Sequence, residues 1–168
     1  MQARLQLHRT FLWISVLAWG IGVGAKLFDL RVLAGAWSAM PPESLILLPY
    51  GPRFPVDPGQ FSMLVSPTIL IASVGALVTG WRTVSQYRLW LWCSAALIAL
   101  VFLLTIVVMW PMNTALYAAA PDSPIGPGGR SDIAELAHRW VAYDWLRVTM
   151  MAAGFVCAVR AISRPIAE

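Results

Sequence analysis

Four long apolar runs make up most of the chain, and their spacing predicts four membrane-crossing helices. The first run follows Arg4, His8 and Arg9 and covers residues 10–34, passing through Lys26, Asp29 and Arg31. Its opening has the basic start, apolar core and small residues (Val23, Ala25) of a secretory leader. Read as an uncleaved helix, it supplies the first span. The second run, 63–80, carries Pro67, which neighbouring helices accommodate in a membrane. The third, 89–110, is the most uniformly apolar and is expected to end at Pro111. Each meets the requirement of ~20 predominantly apolar residues for a bilayer span.

The fourth run, 132–162, is mixed. Ser131 is a suitable cap for a helix whose first turn holds Asp132 and Glu135, at the positive end of its dipole. No breaker follows before Pro165, so a helix of about 30 residues and ~45 Å is expected. Its wholly apolar part, 148–159, is too short to cross alone, so residues 140–147 must enter the membrane as well. Two connections rich in Pro and Gly, roughly 37–61 and 111–130, read as longer outer loops. The predicted architecture is therefore all-α: a single integral membrane domain, a four-transmembrane-helix bundle with two longer outer loops.

Composition agrees. Of 168 residues, 59% are hydrophobic and 12% charged, and mean hydropathy is +0.69. A soluble domain carries roughly a quarter charged residues, and a disordered chain needs low hydrophobicity with high charge; both are excluded. The net charge of +4 would in a soluble protein invite a nucleic-acid partner, but here it divides by side. With four spans, Arg4, Arg9, Arg82, Arg88, Arg160 and Arg164 share one side with the single acid Glu168, a net of +5. The other side holds six cations against seven acids, a net of −1. The positive-inside rule then places both termini in the cytoplasm and the protein in the cytoplasmic membrane. Membrane lipid and a small lipophilic molecule are the expected partners, with no role for nucleic acid; the oligomeric state is left open.

Depth singles out four ionisable residues. Counting ~20 residues of span back from Ile162 puts Asp144 and Arg147 about 3 and 8 Å inside the outer boundary. The same count from Thr10 puts Lys26 about 5 Å inside and Asp29 at the boundary. Charges at that depth are expected to face the interior and pair, Lys26 with Asp29 and Asp144 with Arg147 at i,i+3 spacing. Gly22, Lys26 and Asp29 share a face of the first helix, and Gly20 with Gly24 forms a GxxxG suited to close helix contact. On the fourth, Arg139, Tyr143 and Arg147 lie within about 80° of one another. His138 and Asn113 fall in the same outer half.

Other chemistry finds little support. Cys93 and Cys157 lack a CxxC neighbour. His8 and His138 lie on opposite sides and cannot both ligate one haem. No HExxH or comparable spacing marks a metal site, so neither haem nor metal is expected. Nucleophile-elbow and P-loop patterns are absent. The tryptophans are expected to form interfacial belts, Trp81, Trp90 and Trp92 at one face and Trp37, Trp110 and Trp140 at the other.

Asn113 in WPMNTALY, then Trp140, Asp144 and Arg147 as W-x3-D-x2-R, with GIGVGAKLF in the first span, resemble the anthrone oxygenase-like family of small four-helix membrane proteins. The resemblance covers about residues 10–162. The family pattern has N-x2-L, here Asn113 to Leu116, and W-x3-N-x2-R, so Asp144 departs by placing an acid where Asn is usual. The resemblance implies oxidation of an anthrone to an anthraquinone by molecular oxygen as co-substrate, without a conventional redox cofactor. Such chemistry needs a base and groups that stabilise an oxyanion. Candidate catalytic residues are His138 as base with Arg139, Asp144 and Arg147; Asn113, Trp140, Tyr143, Lys26 and Asp29 are candidate substrate contacts. The competing expectation is a non-catalytic membrane subunit, or a lipid- or quinone-binding protein, whose charged layer pairs helices.

Overall fold

A computed structural model of the chain describes residues 2–48, 58–81, 85–120 and 130–163. The described residues are helical apart from short turns between the helices, without a strand. Helix α1 (Gln2–Phe28) runs through a π-helical segment, Asp29–Leu33, into α2 (Ala34–Trp37), and a 3₁₀ turn follows at Glu43–Leu47. Helix α3 is Pro58–Thr79 and α4 is Ser85–Leu104; a second π segment, Thr105–Met109, leads into α5 (Trp110–Ala118), and α6 is Arg130–Ile162. Four helical runs, Gln2–Trp37, Gly59–Thr79, Tyr87–Ala118 and Asp132–Ile162, are long and apolar enough to cross a membrane. The chain is an all-α, multi-pass membrane protein. In such a chain the many exposed large apolar side chains, Leu64, Ile71 and Leu103 among them, are the surface that lipid covers.

Two boundaries differ from the sequence expectation. The first run extends beyond residues 10–34 at both ends. The third does not stop at Pro111: the wider π turn, in which the Trp110 N–H bonds the Thr105 carbonyl, precedes a proline in the first turn of α5. A proline inside a continuing helix removes one backbone hydrogen bond and crowds the preceding turn, and a π turn placed just before it loosens the backbone where that crowding falls. Arg53, Asp57, Arg82, Asp122, Arg164, Pro165 and Glu168, and much of the two expected outer loops, lie outside the described residues. Ser131 sits within α6, which begins at Arg130.

The chain divides into two compact units. One comprises Met1–Gly24, Ser62–Phe102 and Thr149–Glu168. Its core is apolar, with Trp19, Ile69, Ile98, Val101 and Met151 in one cluster and Leu12, Leu77, Tyr87 and Leu91 in another. Hydrogen bonds tie its helices together: Ser15 Oγ lies 3.0 Å from Ser73 Oγ, and Trp19 Nε1 donates to Ser94 Oγ at 3.0 Å. His8 Nδ1 is 2.9 Å from Thr79 Oγ1 and its Nε2 2.6 Å from the Tyr87 hydroxyl. The Thr79 hydroxyl donates to the Gly75 carbonyl, so His8 Nδ1 carries the proton and Nε2 accepts from Tyr87. Interhelical bonds of this kind average about 0.6 kcal/mol in membranes, so packing carries most of the association.

Close packing in this unit occurs at glycines other than the expected pair. A Cβ on Gly24 would meet nothing within 4 Å, whereas one on Gly22 would sit 3.1 Å from Ile69 and Met151. A Cβ on Gly154 would fall 2.5 Å from the Trp19 ring. The indole of α1 thus lies where only a glycine of α6 leaves room.

The other unit comprises Ala25–Phe61 and Leu103–Val148. Its core gathers Leu30, Ala34, Trp37, Leu45, Met109, Leu116, Ala137 and Trp140. The turn after α2 is held by the Ser44 hydroxyl, which donates to the Trp37 carbonyl at 2.6 Å and accepts from the Met40 N–H at 3.0 Å. Every residue of the buried charged layer belongs to this second unit.

Candidate functional site

Helix α6 sets the site by its buried stripe. Ile133, Ala137, Trp140, Asp144, Arg147 and Val148 are buried, at the three- and four-residue spacing that keeps side chains on one helix face. Asp144 is 0% and Arg147 6% exposed. Arg147 Nε donates to Asp144 Oδ1 at 2.7 Å, and Nη2 donates to the same oxygen. Nη1 reaches Thr105 Oγ1, the first residue of the second π segment, at 3.5 Å. Asp144 Oδ2 is buried and makes no hydrogen bond.

The last turn of α1 supplies the second pair. Lys26 Nζ donates to Asp29 Oδ2 at 2.6 Å, with both side chains largely buried. Asp29 opens the first π segment, where the Ala34 N–H bonds its carbonyl. Lys26 is also close enough to interact electrostatically with both Asp144 and Arg147. Two cations and two carboxylates therefore share one buried, formally neutral layer. Segments of π-helix are rare and concentrate at functional sites, and here each begins at a residue that contacts this layer.

One turn before Asp144 on α6, an aromatic group adjoins the ions. Trp140, 1% exposed, donates its indole N–H to Asn113 Oδ1 of α5 at 2.5 Å. Trp37 packs against it edge-on, with ring centroids 4.9 Å apart and planes at 76°. Trp37 is fully buried, yet its indole N–H makes no hydrogen bond.

Of the residues singled out from the sequence, the structure gathers Lys26, Asp29, Asp144 and Arg147, and joins Asn113 to Trp140. It does not bring His138, Arg139 or Tyr143 to that group. Arg139 is two-thirds exposed and pairs with Glu135 one turn away; His138 is exposed and Tyr143 is 40% exposed. At ~100° per residue His138 and Arg139 lie ~120° or more from Asp144 around the helix, off the buried stripe. The expected outer belt also changes: Trp110 is exposed, but Trp37 and Trp140 are core residues. Among the described residues no three His, Cys, Asp or Glu side chains form a group able to hold a metal.

Sequence reasoning missed Thr105 and Trp37. Thr105 had a signal, since it is the lone polar residue in the apolar stretch LIALVFLLTIVVMW. Trp37 had none, because a tryptophan beside a span end reads as a belt residue whether or not the fold buries it.

The family model described as anthrone oxygenase matches residues 59–157 of the chain. The matched region holds Thr105, Asn113, Trp140, Asp144 and Arg147, and leaves out Lys26, Asp29 and Trp37. No curated protein and no solved structure matches.

Proposed function

The chain belongs to the anthrone oxygenase family, and from that premise we propose that it is an oxygenase acting on a small lipophilic aromatic, anthrone-like or quinol-like, with molecular oxygen as co-substrate and no resident redox cofactor. In this reading both termini are cytoplasmic and the substrate arrives from membrane lipid on the outer side. The observation that carries the reading is Asp144: a wholly buried carboxylate with one oxygen held by two Arg147 N–H groups and the other unpartnered. A base needs both features, a fixed orientation and a lone pair left available. The exposed His138 lacks this setting, so the base role passes to Asp144.

The chemistry balances as follows. An anthrone carries a CH₂ flanked by two rings, opposite a ketone. Asp144 Oδ2 takes one proton from that carbon, and the electron pair moves into the ring system, so the ketone oxygen becomes an oxyanion. Proton transfer turns the neutral layer of Lys26, Asp29, Asp144 and Arg147 into one of net charge +1, which favours the anion that has just formed. The anion gives one electron to O₂, and superoxide and the carbon radical combine into a new C–O bond. The protonated Asp144 returns its proton to the distal oxygen. Loss of the second hydrogen together with hydroxide releases water and leaves the second ketone. Anthrone and O₂ become anthraquinone and H₂O.

The test is anthrone-dependent oxygen uptake by protein in lipid nanodiscs, against protein-free discs, with anthraquinone measured by absorbance. One O₂ consumed per anthraquinone formed is expected. Asp144→Asn, normalised to folded protein, should lower the rate about 10²- to 10⁴-fold, the usual contribution of a general base. Uptake no faster than in protein-free discs would overturn the oxygenase reading. A rate for the variant within twofold of the parent would overturn the role of Asp144.

A further inference from the structure

Charge is divided unevenly between the two units. Every acid among the described residues, Asp29, Glu43, Asp132, Glu135 and Asp144, lies in the second. The described residues of the first unit include Arg4, Arg9, Arg88 and Arg160 and no Asp or Glu. Those arginines gather at one end of it. Leu12, Leu77, Tyr87 and Ala161 share one buried cluster, so the start of α1, the end of α3, the start of α4 and the end of α6 meet there. Arg9 lies three residues before Leu12, Arg88 follows Tyr87, and Arg160 precedes Ala161.

Two of the four are positioned by the end of α3. The last carbonyls of a helix lack partners within it and form the negative end of its dipole. Arg4 Nε donates to the Thr79 carbonyl at 3.1 Å, and Arg88 Nη1 donates to the Trp81 carbonyl at 3.3 Å. Arginines from α1 and α4 thus converge on carbonyls two residues apart. The layer beneath is closely packed: the Thr79 hydroxyl bonds the buried His8, and a Cβ on Gly80 would fall 2.7 Å from the His8 ring. Each capping bond uses one of the five N–H groups of a guanidinium. Because the carbonyls are neutral, two full positive charges remain to be compensated. Next to them Trp81 and Trp92, each about half exposed, meet edge-on with ring centroids 5.9 Å apart. Exposed tryptophans at a span end mark the depth of lipid headgroups.

We propose that Arg4 and Arg88, at the end of α3, form a binding site for an anionic phospholipid, whose phosphate takes the remaining N–H groups of both guanidiniums while its glycerol and upper acyl chains lie against Trp81 and Trp92. The forked donors of arginine match phosphate geometry. The tryptophans favour lipid over a soluble anion, since they offer an apolar surface beside the charge. The site lies in the unit without the buried charged layer and stands apart from the oxygenase reading.

The test is binding of tritiated phosphatidylglycerol to the full chain immobilised in dodecyl maltoside micelles, competed by unlabelled phosphatidylglycerol or by phosphatidylcholine of the same acyl chains. At ~5-fold per arginine near a membrane surface, the parent should prefer phosphatidylglycerol about 25-fold. Arg4→Gln with Arg88→Gln should bring the two lipids to within about threefold of each other. Arg9→Gln with Arg160→Gln removes the same charge from the same end and should lower the preference less than about threefold. Should the first double variant fail to fold, Arg4→Gln and Arg88→Gln are measured singly, each with a ~5-fold loss expected. No preference in the parent, no loss on removing Arg4 and Arg88, or equal losses in the two double variants overturns the site, the last because it is the behaviour of diffuse charge. Excess inorganic phosphate, at ionic strength matched with sodium chloride, should leave the labelled lipid bound. Complete displacement would assign the arginines to a soluble anion and overturn the lipid.

Discussion

Replacing Arg147 by Met removes three donated hydrogen bonds, two to Asp144 Oδ1 and one to Thr105 Oγ1, while keeping a long, flexible apolar side chain. It leaves Asp144, 0% exposed, as a buried carboxylate with neither oxygen held by arginine. Breaking a buried ion pair from one side costs about 3–5 kcal/mol, because the surviving charge is uncompensated. Asp144 can limit that cost by taking a proton, at the expense of its capacity as a base. Removing both charges has a different consequence, since replacing a whole buried pair is often close to neutral. The double variant Asp144→Asn with Arg147→Met should therefore lie nearer the parent than either single variant, with a coupling of at least about 2 kcal/mol. Unfolding in mixed micelles titrated with sodium dodecyl sulfate measures the four stabilities, and oxygen uptake is read on the same samples. The expected pattern is a destabilised Arg147→Met, a recovered double variant, and no anthrone oxidation by either. Single-variant costs that add up to the double-variant cost within about 0.5 kcal/mol would refute the pairing, since that is the behaviour of independent sites.

Two further outcomes are expected. Gly154→Ala puts a methyl group 2.5 Å from the Trp19 ring, so overpacking should cost about 1–3 kcal/mol in the same micelle titration; Gly24→Ala, with nothing within 4 Å, serves as the control and should be no less stable than the parent. With Cys93 and Cys157 replaced by alanine, Gly128→Cys should react with a membrane-impermeant maleimide added to intact cells if the termini are cytoplasmic, and protection at that position reverses the orientation.

The sequence carries some layers of this structure better than others. Hydropathy alone places four spans, because lipid demands internally satisfied backbone over ~20 residues. The pairs Lys26–Asp29 and Asp144–Arg147 are legible for a similarly local reason: i,i+3 neighbours on a helix meet whatever the tertiary fold does. What a helical wheel cannot supply is the direction in which α6 turns that face. Arg139 and Tyr143, within about 80° of Arg147 on the wheel, look nearly as close to it as Asp144 does until the buried stripe through Trp140 and Asp144 is known; His138 shares only the depth of that group. Pro111 misleads for a related reason: the helix continues past it through a π turn, Thr105–Met109, that hydropathy does not mark. Orientation rests partly on Arg82 and Arg164, outside the described residues.

The geometry of the ion pairs bears on whether the charged layer holds helices together or serves a ligand. A charge kept for helix association gains most by pairing across a helix boundary, as Ser15 with Ser73 and His8 with Tyr87 do in the first unit. Lys26–Asp29 and Asp144–Arg147 each close within one turn of their own helix, so neither pair by itself draws two helices together. The side-chain bond from Arg147 to another helical segment, at 3.5 Å to Thr105, is long for a contact meant to anchor. A carboxylate held away from water with cations beside it is also the arrangement a site needs to receive an anion.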